Sequence, residues 1–159
     1  MNFTLYTITD WLGLVPVFIC IGFAVLGLVQ WIKRKKILKV DFSLLSLGVF
    51  YIAVMIAYLF FEECVINYRP VLIEGVLEAS YPSSTTLLTL CVMQTAAEQL
   101  NSRIKNKVLR RIILTVISIF TAFMVIARLI SGVHWLTDIV GGAFLSLFLV
   151  MTYRFVNSK

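Results

Sequence analysis

Apolar residues run along this chain in long stretches separated by short polar breaks. Five stretches can be drawn, over residues 12–32, 42–61, 84–99, 112–127 and 137–153. A helix needs roughly 20 residues to cross about 30 Å of hydrocarbon, and the stretches are near that length. The pattern therefore predicts an all-α, polytopic membrane helix bundle with about five transmembrane helices. The third and fifth stretches are the weakest. Thr85, Thr86, Thr89, Gln94 and Thr95 dilute one, and the other is short. Polar groups are costly against lipid, so these positions are expected to face protein.

A chain of 159 residues with 60% hydrophobic content and mean hydropathy +0.97 is too apolar for a soluble domain. The first stretch is too long for a cleaved signal peptide, and its Lys33-Arg34-Lys35-Lys36 block lies on the wrong end, so it is expected to stay in the mature protein. With short loops and no repeat, residues 1–159 are read as a single integral membrane domain. Cys20, Cys64 and Cys91 form no metal or redox spacing. One histidine with scattered carboxylates argues against a catalytic zinc site, and neither metal nor cofactor is expected.

The net charge of +6 does not point to nucleic acid, because the basic residues sort by membrane side. Lys33, Arg34, Lys35, Lys36 and Lys39 follow the first stretch; Arg103, Lys105, Lys107, Arg110 and Arg111 follow the third; Arg154 and Lys159 lie in the tail. By the positive-inside rule these segments are cytoplasmic. The amino terminus is then outside and the carboxyl terminus cytoplasmic, with loops 62–83 and 128–136 exterior. Trp11 and Trp135 near one boundary and Trp31 near the other fit interfacial anchoring.

Arg69 and Arg128 stand against that rule. Each calls for a specific anionic partner, either a ligand or one of Glu62, Glu63, Glu74 and Glu78 nearby. Around them lie Pro82-Ser83-Ser84-Thr85, which reads as a helix start, and His134 followed four residues later by Asp138. The helix start offers free N–H groups to an anion, or is an ordinary N-cap. The four-residue spacing puts His134 and Asp138 on one helical face. A carboxylate there can accept a hydrogen bond from Nδ1–H and leave Nε2 free as nucleophile or base. Two arginines, a helix amino terminus and a carboxylate-backed histidine together describe a phosphoryl-transfer site.

At these residues the chain resembles the type 2 phosphatidic acid phosphatase family, membrane lipid phosphatases related to vanadium haloperoxidases. Arg69-Pro70 matches the end of the family's first motif, Pro82-Ser83 the start of the second, and Arg128, His134 and Asp138 the third; the likeness covers about residues 62–142. The resemblance implies that Arg69, Arg128 and Ser83 hold phosphate, aided by Ser84 at the helix start. It also implies that His134 attacks phosphorus to give a phosphohistidine while Asp138 orients it. Four positions depart from the pattern. Glu62 stands where the family has lysine, Ser84 where it has glycine, Thr85 where it has the histidine that protonates the leaving group, and Ala127 where it has serine. Glu62 and Thr85 are therefore at most weak contributors. The family commonly has six membrane helices, so the resemblance also implies that this chain lacks the first.

Loss of a general acid typically costs about 10²–10⁴ in rate. A lipid diphosphate tolerates that loss, since its departing lipid phosphate, with a relevant pKa of about 6, leaves without a proton. Three readings result. The first is a lipid phosphatase acting on an isoprenoid diphosphate at the outer leaflet, with Glu74 or Glu78 as conceivable substitute acids. The second is a catalytically silent relative that binds or helps move a phospholipid or lipid-phosphate headgroup. The third is a structural membrane subunit whose outer charges merely pair.

Overall fold

The computed structural model describes residues 1–73 and 75–158, and among these it is all helical apart from loops. Six α-helices follow in order: α1 Phe3–Leu12, α2 Leu14–Arg34, α3 Phe42–Glu63, α4 Ser84–Arg103, α5 Lys107–Ser131 and α6 Leu136–Asn157. The five long helices sit on the five apolar stretches, α2 beginning two residues inside its stretch and most other ends extended by a few residues. Four helical segments are long and apolar enough to cross a membrane: Phe3–Arg34, Phe42–Glu63, Lys107–Ser131 and Leu136–Asn157.

The fifth long helix, α4, is the polar one, and its place in the bundle explains why. It packs against α2, α3, α5 and α6. Leu87, Cys91, Val92, Met93 and Ala96 are buried around it together with Thr86, Thr89, Thr95 and Gln99. Protein surrounds most of α4, so its hydroxyls and amide need partners within the bundle. Thr95 donates back to the Cys91 carbonyl at 2.8 Å, and Gln99 Nε2 donates to Tyr153 Oη at 2.7 Å and to the Ser43 carbonyl at 3.1 Å.

Helix α6 turns one stripe toward this centre. Asp138, Gly142, Ser146 and Val150 recur every four residues and are all buried. Small residues at Gly142 and Ser146 let the backbones approach, as is usual where no hydrophobic force drives membrane helices together. A Cβ at Gly142 would lie 3.1 Å from the Ser83 carbonyl oxygen and 3.4 Å from Thr86 Cβ.

Helix α1 was not expected from the hydropathy pattern. Pro16 has no N–H to give the Leu12 carbonyl, and its ring crowds that carbonyl, so the regular helix is interrupted at Gly13, at the start of the first stretch, and α1 lies ahead of that stretch. The short piece folds onto α5, where Asn2 N donates to the Ser131 carbonyl at 2.8 Å. At the opposite end of the bundle Asp41 accepts from Gln30 at 2.8 Å, Arg34 at 2.9 Å and Arg103 at 3.3 Å, tying α2, α3 and α4 together. Hydrogen bonds from Gln30 and then Arg34 hold the Asp41 carboxyl below its usual range.

Because α6 meets α4 at Gly142, a larger residue there should overpack the joint by about 1–3 kcal/mol, more than the roughly 0.5–1 kcal/mol a helix gains on losing a glycine. Gly142→Val should lower the thermal midpoint in detergent by several degrees. Gly48→Ala, where a Cβ meets nothing within 4 Å, should leave it unchanged or slightly raised. Equal melting of Gly142→Val and the unsubstituted protein would refute the close approach.

Candidate active site

Where α1, the segment 64–83 and the α5–α6 connection meet, a cavity of about 270 Å³ opens. Tyr6, Asp10, Tyr58, Glu62, Arg69, Glu78, Ser80, Tyr81, Ser84 and His134 are among its lining residues. Residues 67–69 pair with residues 78–80 as a narrow ribbon: Arg69 N donates to the Glu78 carbonyl at 3.1 Å and Ser80 N to the Asn67 carbonyl at 2.9 Å. That pairing puts the side chains of Arg69 and Ser80 at one site. Arg69 Nη2 contacts Glu78 Oε2 at 3.0 Å and its Nε donates to the Ala79 carbonyl at 3.4 Å. Its buried Nη1 has no partner among the described residues.

Arg128 comes from the last turn of α5 and is 2% exposed. Its Nη1 donates to Thr9 Oγ1 at 3.1 Å, Nη2 lies 3.7 Å from Asp10 Oδ1, and the guanidinium stands 4.9 Å from the Tyr6 ring centre. Nε is unpartnered. All three partners come from α1, the helix that hydropathy did not reveal. Of the glutamates weighed as partners for the two arginines, Glu78 pairs with Arg69, and none of Glu62, Glu63 or Glu78 makes a salt bridge to Arg128. Glu74 lies outside the described residues, as does Lys159.

His134 and Asp138 come together differently from the expectation that the carboxylate takes the Nδ1 proton. Gly132 adopts φ +72° and ends α5, Trp135 is extended, and α6 begins at Leu136, so His134 precedes the helix whose first turn holds Asp138. Nδ1 is 3.7 Å from Asp138 Oδ2, beyond a hydrogen bond. The Ser80 carbonyl accepts from Nδ1 at 3.1 Å, and Ser80 Oγ lies 3.2 Å away. The Ser80 hydroxyl donates to Asp138 Oδ2, which also accepts Trp135 N–H at 2.8 Å. Ser80 thus stands between the two residues.

Residues 30–159 match the PAP2 superfamily model. The chain belongs to that superfamily. In fold it is similar to a transmembrane PAP2-type phosphatidylglycerolphosphate phosphatase from Bacillus subtilis, with TM-score 0.66 at 20% identity over 94% of this chain and 78% of that one. Among curated proteins no match was found. The matched region begins inside α2, so α1 and its contacts to Arg128 lie ahead of it.

The superfamily's motif positions fall unevenly around the cavity. Ser83 is fully buried and caps α4, accepting from Thr86 N at 3.4 Å and from Thr86 Oγ1 at 3.1 Å, while Ser84 lines the cavity. Thr85 is not among the lining residues, whereas Glu62 is. Tyr6, Thr9 and Asp10 escaped the sequence reading, although their i, i+3, i+4 spacing marks a polar face on a helix. Nothing in sequence singled out Ser80.

The electrostatics leave His134 neutral. Burial pushes its pKa down to about 3, helped by the charges of Arg69 and then Arg128 and opposed by its hydrogen bond to the Ser80 backbone. With Nδ1–H given to a carbonyl, the proton-free nitrogen is Nε2, which is buried and without a partner among the described residues. A neutral imidazole with a free lone pair and two unpartnered guanidinium N–H groups can receive an electrophilic anion. Since a depressed pKa keeps the base form down to pH about 3, the lone histidine should not titrate between pH 5 and 8. Nitrogen-15 NMR of histidine-labelled protein in micelles should show a protonated Nδ1 and bare Nε2 throughout. A midpoint near 6.5 would contradict this environment.

Proposed function

We propose that this protein is a membrane lipid phosphatase in which His134 is the nucleophile and Arg69 and Arg128 hold the phosphoryl group. One observation carries the reading: Arg69 Nη1, Arg128 Nε and His134 Nε2 are all buried without hydrogen-bond partners among the described residues, and the charges of both arginines act on the imidazole. Buried polar groups are rarely left unsatisfied, and a phosphate supplies acceptors to the guanidinium groups and phosphorus to the imidazole.

Nε2 donates its lone pair to phosphorus while the bond from phosphorus to the leaving oxygen breaks, and the electron pair departs with that oxygen. Water then attacks the phosphohistidine to release inorganic phosphate and restore the imidazole. Asp138 stabilises the positive charge that the ring acquires on attack. With Thr85 outside the cavity lining and no histidine there, the leaving group that needs least help is another phosphate. The reading therefore favours a lipid diphosphate, with an isoprenoid chain as the lipid class. Glu78 is the substitute acid on this reading, because it lines the cavity beside Arg69.

The second reading, a silent relative that binds a lipid-phosphate headgroup, draws on a different observation. Both arginines already contact carboxylates, Glu78 and Asp10, and Glu62 adds a third carboxylate to the cavity. Turnover decides between the two. Detergent-purified protein should release phosphate from a polyprenyl diphosphate faster than from the matching monophosphate, and His134→Ala should cut kcat by on the order of 10³ or more. Arg69→Ala should weaken orthovanadate inhibition several-fold, whereas Glu78→Gln, which frees the arginine, should strengthen it. Vanadate binding without hydrolysis of any lipid phosphate would favour the silent relative, and hydrolysis surviving His134→Ala would exclude the phosphohistidine.

The distribution of basic residues supports placing this cavity at the outer leaflet, with the amino terminus outside and the carboxyl terminus cytoplasmic. Cys64 is exposed at the cavity end of α3. An impermeant maleimide added to intact cells should label Cys64 and spare a single cysteine introduced at Lys107 in a Cys64→Ser background. The opposite labelling would put the site at the inner leaflet.

A further inference from the structure

Ser80 belongs to none of the motif positions matched above, yet it is 2% exposed and touches both His134 and Asp138. Its backbone is pinned by the ribbon, through Ser80 N to the Asn67 carbonyl at 2.9 Å. A serine hydroxyl carries one proton, and here that proton goes to Asp138 Oδ2. Toward the imidazole the oxygen then presents only lone pairs, beside the Ser80 carbonyl, which presents only lone pairs as well. Nδ1 must therefore be the protonated nitrogen. The contacts run from Nδ1–H to Ser80 Oγ, and from the Ser80 hydroxyl to the carboxylate. Such a chain polarises along its length, so the negative charge of Asp138 reaches the ring through a hydroxyl.

We propose that Ser80 is a positioning residue that couples Asp138 to His134, taking the place of direct contact between carboxylate and imidazole. The role rests on the phosphohistidine reading above. Attack by Nε2 makes the ring cationic, and a ring linked to a carboxylate through Ser80 accepts that charge at lower cost. No proton leaves Nδ1 in this step. The carbonyl of residue 80 survives every substitution and continues to select the tautomer, so the hydroxyl contributes charge stabilisation, which acts on kcat more than on KM.

The test combines kinetics with a measurement that needs no turnover. Ser80→Ala should lower kcat about tenfold or more with KM within about twofold, and Ser80→Thr, which keeps the hydroxyl, should restore most of it. Asp138→Asn should matter less in the Ser80→Ala background than alone, the signature of two residues acting as one unit. In ligand-free protein, the Nδ1–H proton of the lone histidine should shift upfield in Ser80→Ala and stay in place in Ser80→Thr. If Ser80→Ala does not fold, Ser80→Cys, with its weaker donor, should show the same upfield direction. An Nδ1–H resonance unmoved by loss of the hydroxyl overturns the coupling. A wild-type protein without turnover that still shows the shift keeps the coupling and rejects the phosphatase reading instead.

Discussion

A guanidinium that is 2% exposed at the end of a membrane helix must be given counter-charge and hydrogen-bond acceptors, or the helix could not hold it there. Arg128 obtains them from outside the five-helix bundle. Thr9, Asp10 and Tyr6 surround it, and all three lie on α1, which is held to α5 by Asn2 and the Ser131 carbonyl. Pro16 makes this possible by interrupting the helix at Gly13, at the start of the first apolar stretch, so that the ten residues of α1 pack on α5 while α2 carries the stretch itself. Burial of Arg128 also holds its charge near His134, where it adds to that of Arg69 in keeping the imidazole neutral.

The bundle itself was legible because lipid imposes a simple rule on sequence: residues facing hydrocarbon are apolar, and departures mark protein contact. The threonines of α4 are the clearest case. In hydropathy they weaken the third stretch, and in the structure Thr86, Thr89 and Thr95 are buried in a helix with neighbours on several sides. Arg69, Ser84 and His134 were singled out for a related reason, since polar residues that break a membrane pattern are expensive to keep without partners. All three line one cavity.

What sequence spacing could not convey was the route of the backbone between elements. Four residues from His134 to Asp138 imply one face of a helix only if the helix runs through both, and Gly132 and the extended Trp135 ensure that it does not. The imidazole consequently meets the ribbon carrying Ser80 before it meets Asp138. Ser80 enters through pairing between Asn67–Arg69 and Glu78–Ser80, a contact invisible to helical periodicity. Likewise α1 is short and threonine-rich, so no window tuned to a membrane span could find it.

On the proposed reading, the two chemical departures, Glu62 and Thr85, belong to one electrostatic arrangement. Glu78 pairs with Arg69 and Asp10 with Arg128, and Glu62 adds a carboxylate to the cavity lining, so a weakly charged headgroup gains little by entering, because it must replace carboxylates that already neutralise the clamps. A headgroup with several negative charges can form bidentate bonds to both guanidinium groups and displace those carboxylates. On this reading the carboxylates paired with the arginines, Glu78 and Asp10, act as a filter on headgroup charge, and Arg69, shared between Glu78 and phosphate, is the residue at which the exchange is made.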